Sequence, residues 1–187
     1  MVRDRLARYG PLVPNTLTVL RLGVAVTFPF APVAWRLTMV LVGGVSDALD
    51  GLAARRLHAT TWVGALLDGI ADKLFTLSVL LTLTAAGPLS WLQLGLLLTR
   101  DAVVALIAAY VGVAGQWEMF KRVAARPSGK VTTAALFAMF VVILWRPSVG
   151  RPLVWIAVAS SLLAAADYAI VFVRWKVWQI EPGHLRS

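Results

Sequence analysis

The sequence predicts an all-α integral membrane protein with six transmembrane helices. Of its 187 residues, 59% are hydrophobic and only 14% are charged, with eight Trp and a formal net charge of +9. A soluble globular domain has about half apolar and about a quarter charged residues. A disordered chain is poor in aromatic residues and rich in charge. Both classes are therefore excluded, and we expect one membrane-embedded domain over residues 1–187.

Six apolar stretches have the length of roughly 20 residues that a membrane-spanning helix needs. Gly87-Pro88, Pro147 and Pro152 lie at their borders, where such residues typically interrupt helices. The longest polar connection, residues 116–129, is too short to form a second domain. The predicted spans are residues 12–33, 35–55, 62–86, 88–112, 130–146 and 151–173.

The distribution of basic residues orients the predicted spans. Twelve Lys and Arg residues fall on the side that holds both termini, the loop between spans 2 and 3 and the loop between spans 4 and 5, against three on the other side. Because basic loops stay in the cytoplasm, we expect both termini to be cytoplasmic. The excess charge is explained by topology and by anionic lipid, so we expect membrane lipids and no nucleic acid as partners.

Acidic residues inside the predicted spans indicate a functional site, since each charge costs about 2.5–3.5 kcal/mol at a helix centre. Asp47 and Asp50 lie three residues apart in span 2, and Asp68 and Asp72 lie four apart in span 3. Each spacing places two carboxylates on one helical face. Adjacent antiparallel spans bring the two pairs to a similar depth, where four carboxylates repel unless they are neutralised. One or two hard divalent cations, which take oxygen ligands, would neutralise them.

These carboxylates belong to a longer pattern of eight specified positions across 26 residues. It reads Asp47-x-x-Asp50-Gly51-x-x-Ala54-Arg55, then eight residues, then Gly64-x-x-x-Asp68-x-x-x-Asp72. The pattern resembles the signature of the CDP-alcohol phosphotransferase family, nearest its phosphatidylglycerophosphate synthase and cardiolipin synthase branch. Three weaker likenesses extend the resemblance over residues 14–133: Pro14-Asn15-Thr16-Leu17-Thr18-x-x-Arg21, Arg100-Asp101 in span 4 and Ser128-Gly129-Lys130-Val131-Thr132-Thr133.

The resemblance implies transfer of a phosphatidyl group from CDP-diacylglycerol to a glycerol-based alcohol, with release of CMP, in phospholipid biosynthesis. It implies Mg²⁺ or Mn²⁺, two ions in all, held by the carboxylates of Asp47, Asp50, Asp68 and Asp72. It also implies that Asp72 is the catalytic base. Contacts to the nucleotide and its diphosphate are expected from Asn15, Thr18, Gly51, Ala54, Arg55 and Gly64. A homodimer in a bacterial cytoplasmic membrane, with its active site at the cytoplasmic face, is expected on the same ground.

Arg21, Arg100 and Lys130 are the cations that we expect to bind an acidic acceptor such as glycerol 3-phosphate or phosphatidylglycerol. Each has a structural alternative: a buried partner for Arg21, pairing with Asp101 or another acid for Arg100, and an interfacial topology charge for Lys130. Structural pairing is also the expectation for Asp101 and Asp167. Charges inside a membrane normally face a bundle interior or a wet cavity, which is consistent with both interpretations.

The acceptor alcohol is left open by the sequence. Gly69 and Thr132 stand where phosphatidylglycerophosphate synthases usually have Pro and Lys, whereas the run from Lys130 to Thr133 is nearer to cardiolipin synthases. Phosphatidylglycerophosphate and cardiolipin synthesis are therefore both retained, with inositol phosphate or another polyol as the alternative acceptor. A cation transporter or a purely structural membrane protein is a more distant alternative, because intramembrane acids also line ion paths.

Overall fold

The computed structural model describes the backbone of residues 12–57, 62–115 and 126–180, and the side chains of residues 18–46, 67–115 and 126–176. The described residues form α-helices and one 3₁₀ turn, Phe28–Phe30, with no strand among them. The predicted all-α class is therefore confirmed for this part of the chain. The helices are α1 (Leu12–Thr27), α2 (Val33–Leu57), α3 (Trp62–Ala85), α4 (Trp91–Ala114), α5 (Pro127–Trp145) and α6 (Pro147–Ile180).

Helices α1 to α5 coincide with the predicted spans to within three residues when the 3₁₀ turn is counted with α1. Helix α6 is longer than its predicted span, 34 residues instead of residues 151–173. Pro147 occupies the first helical position, where a missing N–H costs nothing, and Pro152 lies within the helix without ending it. At the other end, Arg174 and Lys176 end the apolar stretch, but a charged side chain does not end a helix.

Three helices in the described part of the chain are long and apolar enough to cross a membrane: α4, α5 and residues 147–176 of α6. Thr18–Phe30 and Val33–Ser46 are shorter apolar stretches. The first half of α3 carries three charged residues, Asp68, Asp72 and Lys73, which lower its hydropathy. The large exposed aromatic surfaces of Trp35, Trp91 and Trp145 lie at helix ends, as side chains of a membrane–water interface do. The protein is a membrane protein.

The chain divides into two compact units. The first contains the described residues up to Leu89, together with Ile143–Pro147. In it, α1 packs against both α2 and α3, and the Ser78 hydroxyl donates a 2.6 Å hydrogen bond to the carbonyl of Ala25. At Gly43, a β-carbon would lie 2.7 Å from the Phe75 ring, so the glycine permits a close approach of α2 and α3.

The second unit contains Ser90–Val142 and the described residues from Ser148 onward. Helix α4 begins at a capping box between Ser90 and Gln93 and ends at Gly115, whose φ of 68° is left-handed. Buried side chains of α4 and α6 form its apolar cluster, namely Ile107, Val111, Ala164 and Tyr168. This packing fixes the helices that carry Arg100 and Asp167.

Candidate functional site

Two of the four signature carboxylates, Asp68 and Asp72, lie in the described part of α3. They are one helical turn apart on one face, as predicted, and both are partly exposed. The guanidinium of Arg21, on α1, donates a 2.8 Å hydrogen bond from Nη1 to Oδ1 of Asp68. Arg21 is 0% exposed, whereas the Asp68 side chain is 41% exposed. A charge buried in this way requires a close counter-charge, and the pair orients the Asp68 carboxylate.

The other predicted site residues of the first unit are only partly covered by the structure. Thr18 is buried on α1, one turn before Arg21. Beyond the described side chains lie those of Asn15, Asp47, Asp50, Gly51, Ala54, Arg55 and Gly64. Among the described side chains, no group of three acidic, His or Cys residues is placed to hold a metal ion. The convergence of all four carboxylates therefore stays a prediction.

The described donors at α3 fit a hard divalent cation in their chemistry. Asp68 and Asp72 supply carboxylate oxygens, the ligand type that Mg²⁺ and Mn²⁺ prefer. Two carboxylates alone do not complete the coordination shell of such an ion. Additional oxygens would have to come from the predicted partners on α2 and from the substrate.

Arg100, expected to bind the acceptor, is only 9% exposed and is surrounded by hydrogen-bond acceptors of its own unit. Its Nε and Nη2 donate to Oδ1 of Asp101 at 3.2 Å and 2.9 Å. Its Nη1 donates to the carbonyl of Gly129 at 2.9 Å and to the hydroxyl of Thr133 at 3.2 Å. The Arg100 backbone N–H donates to the Ser161 hydroxyl at 3.4 Å. Arg100 thus pairs with Asp101, the structural alternative given above, and it holds the first turns of α5.

Lys130 lies in the first turn of α5 and is exposed. Thr132, two residues further on, is 1% exposed, and its hydroxyl donates to the carbonyls of Ser128 and Ser160, both at 3.0 Å. At Gly129, an added β-carbon would overlap the hydroxyl of Tyr168 on α6, so only a glycine allows this approach. The exposed cation is therefore carried by a turn that is packed against α6.

Asp167 is a residue for which the sequence predicts no specific partner. Its carboxylate, on α6, accepts hydrogen bonds from Nε and Nη2 of Arg126 and from the hydroxyl of Ser128. The Nε and hydroxyl bonds both measure 2.6 Å and end at Oδ2. Structural pairing was expected for Asp167, and the structure shows it. Two features of the sequence could have indicated this pair: an acidic residue inside a predicted span and the basic loop before span 5.

The fold and the described side chains define a helical membrane protein with carboxylates on α3 and cations on α1, α4 and α5. Comparison of the sequence with known families specifies this class further. The profile of the CDP-alcohol phosphatidyltransferase family matches residues 11–163. The chain belongs to this family, which confirms the resemblance read from the signature.

Named relatives fall into two groups. A Mycobacterium tuberculosis protein, provisionally named cardiolipin synthase, is 36% identical over 98 residues, which is 50% of this chain and 47% of the relative, so the match spans about half of each chain. CDP-diacylglycerol–glycerol-3-phosphate 3-phosphatidyltransferases of Pectobacterium atrosepticum and Escherichia coli K12 are 32% and 27% identical over 89% of this chain and 91% of their own length. No solved structure matches the chain.

Proposed function

We propose that this protein transfers a phosphatidyl group from CDP-diacylglycerol to a glycerol-based alcohol and releases CMP. The family match over residues 11–163 carries the proposal. Glycerol 3-phosphate is the favoured acceptor, because the relatives that cover 89% of the chain are named for that substrate. The product would then be phosphatidylglycerophosphate, a precursor in phospholipid biosynthesis.

The described carboxylates on α3 can accept the proton that the reaction releases. We propose Asp72 as the general base, which takes the proton of the acceptor hydroxyl as the hydroxyl oxygen bonds to the phosphatidyl phosphorus. The bond from that phosphorus to the CMP oxygen breaks, and CMP leaves with the electron pair. Asp68 is oriented by the buried guanidinium of Arg21, so its carboxylate is presented in a fixed direction beside Asp72.

We propose that Asp47, Asp50, Asp68 and Asp72 together hold Mg²⁺ or Mn²⁺, two ions in all. Such ions would supply positive charge that stabilises the diphosphate and the attacking and leaving oxygens. In the protein itself, Asn15, Thr18, Gly51, Ala54, Arg55 and Gly64 are the proposed nucleotide and diphosphate contacts.

Lys130 is the cation best placed for direct contact with an acidic acceptor, because it is exposed on a fixed turn. A lysine ammonium is a compact charge that suits a phosphate group. Arg21 and Arg100 were predicted to bind the acceptor as well, and this remains a prediction. Their observed contacts to Asp68 and Asp101 support roles that hold other groups in place.

The proposal includes an arrangement in the membrane. All six helices would cross it in a single domain over residues 1–187, with both termini and the active site at the cytoplasmic face of a bacterial inner membrane and two copies forming a dimer. The positive-inside rule supports the orientation. A soluble CMP product and a lipid donor that enters from the bilayer fit a site near that face.

The experiment is a transfer assay with purified protein in nanodiscs and labelled CDP-diacylglycerol. Glycerol 3-phosphate, phosphatidylglycerol and inositol phosphate are supplied separately, and CMP release and the lipid product are measured. We expect CMP and phosphatidylglycerophosphate with glycerol 3-phosphate, and neither when the divalent cation is removed by a chelator. Absence of CMP release with every acceptor would contradict the proposal and would favour the transporter alternative.

Cardiolipin synthesis is the second candidate. It is favoured by the 36% identity to the mycobacterial relative and by the sequence Lys130-Val131-Thr132-Thr133, although that relative matches only half of the chain. Phosphatidylglycerol as the sole productive acceptor, with cardiolipin as the product, would select this candidate. The chemistry at α3 is the same for both acceptors.

A further inference from the structure

We infer that Asp167 is a positioning residue that fixes the first turn of α5, and with it Lys130, for binding of the acceptor phosphate. The inference deepens the proposed function and rests on it. Asp167 touches neither the donor nor the reacting atoms in this scheme. It acts through the backbone that carries Lys130.

The Asp167 carboxylate lies across the start of α5. Arg126 is the residue before the helix, and Ser128 is the second residue within it. Both oxygens of the carboxylate are used: Oδ1 accepts from Nη2 of Arg126, and Oδ2 accepts from Nε of Arg126 and from the Ser128 hydroxyl. A two-pronged contact of an arginine with a carboxylate fixes orientation as well as distance. One side chain of α6 therefore restrains the chain on both sides of Pro127.

A second set of contacts restrains the residues that follow. The Arg100 guanidinium, from α4, binds the carbonyl of Gly129 and the hydroxyl of Thr133. Thr132 donates to the carbonyl of Ser160 on α6. Residues on both sides of Lys130 are therefore tied to α4 or α6, whereas Lys130 itself is exposed.

This arrangement matters because a lysine carries its charge on a long, flexible stem. The reach of the ammonium is then set by the position of the backbone beneath it. Displacement of a binding group by about 1 Å can reduce a rate by about 10²-fold. A side chain that fixes the first turn of α5 would therefore affect acceptor binding without touching the acceptor.

The alternative is that Asp167 only stabilises the packing of α5 on α6. That role would lower stability and the amount of active protein, and it would affect both substrates alike. A positioning role affects the KM for the acceptor, and it does so only while Lys130 is present. A double-mutant cycle separates the two roles, since residues that act through each other give non-additive effects.

The experiment measures CMP release by wild-type protein and by Asp167→Asn in nanodiscs, with glycerol 3-phosphate and CDP-diacylglycerol varied in turn. The asparagine amide places an N–H where the carboxylate accepts a bond, so the paired contact is lost. We expect the KM for glycerol 3-phosphate to rise about tenfold, within the range that a misplaced group produces. The kcat and the KM for CDP-diacylglycerol should stay within about twofold of the wild-type values. In a Lys130→Ala background, Asp167→Asn should leave the KM for the acceptor nearly unchanged.

Ser160→Ala is the matched control, because it removes a hydroxyl of α6 whose bond is local, to the Ala157 carbonyl, and keeps the backbone carbonyl that Thr132 uses. If Asp167→Asn does not fold, Arg126→Gln tests the same contact from the other side and should raise the same KM. An unchanged acceptor KM, equal losses for both substrates, or effects that multiply with those of Lys130→Ala would overturn the inference alone. A wild-type protein that releases no CMP with any acceptor would overturn the proposed function and this inference together.

Discussion

The first half of α3 and the start of α5 both carry charged residues, but the roles of these residues differ. On α3, the carboxylates themselves belong to the proposed chemistry, and a buried cation, Arg21, orients one of them. On α5, the proposed binding group is Lys130. The buried Arg100 donates to the carbonyl of Gly129, and the half-buried Asp167 accepts from Arg126, the residue before the helix. The carboxylates of α3 are thus partly exposed and can react, whereas the charges of Arg100 and Asp167 mainly hold α5 in place.

This difference explains why an ionisable residue inside a membrane helix is an ambiguous signal. The free-energy cost of placing a charged side chain in the membrane does not depend on whether the residue reacts, binds a ligand or supports the packing of helices. What distinguishes the roles is the number of hydrogen-bond donors or acceptors that the protein already supplies. The Arg100 side chain donates four hydrogen bonds to protein acceptors, whereas the Asp68 side chain remains 41% exposed.

Among substitutions that test this difference between α3 and α5, we expect Asp72→Asn to have the largest effect on activity. If Asp72 is the general base, CMP release should fall by about 10² to 10⁴-fold, the usual contribution of a positioned base. The measurement is kcat at saturating CDP-diacylglycerol and acceptor, with the amount of folded protein determined in parallel. Asp72→Glu keeps a carboxylate and should retain more activity than the amide. Full activity in Asp72→Asn would remove Asp72 from the role of base.

Arg21→Gln should have the next largest effect, on both stability and turnover. Removing one partner of a buried ion pair costs about 3–5 kcal/mol; because Asp68 is partly exposed, we expect a loss nearer to about 2 kcal/mol. The fall in kcat should exceed any rise in the acceptor KM, since Arg21 contacts Asp68 in the structure. Thermal unfolding and steady-state kinetics measure the two effects. A rise in acceptor KM alone, with unchanged stability, would instead support the acceptor-binding role predicted from the sequence.

Much of the fold could be predicted because its signals are local. Apolar stretches of spanning length located α1 to α5 to within three residues. Helix α6 extends beyond its predicted span at both ends, because it continues through Pro152 and through the charges after residue 173. Hydropathy indicates which residues can lie within a membrane, but it does not indicate where the backbone hydrogen bonds of a helix end.

The candidate site was predictable to a different extent in its two regions. The signature with Asp68 and Asp72 depends on fixed spacing along the chain, so it could be identified from the sequence and led to the family. The contact of Asp167 with Arg126 joins residues 41 positions apart, and that of Arg21 with Asp68 joins residues 47 apart. No periodicity specifies such pairs, because they depend on how helices pack.

The smallest effect concerns the packing beneath Lys130. Gly129→Ala would place a methyl group against the hydroxyl of Tyr168, which is buried in the apolar cluster of α4 and α6. Overpacking of this kind costs about 1–3 kcal/mol, so we expect a lower unfolding temperature and a modest rise in the acceptor KM. Tyr168→Phe removes the overlapping hydroxyl oxygen and should restore most of both losses in the double variant. If Gly129→Ala alone leaves stability and KM unchanged, the first turn of α5 tolerates displacement, and the close packing of α5 on α6 does not set the position of Lys130.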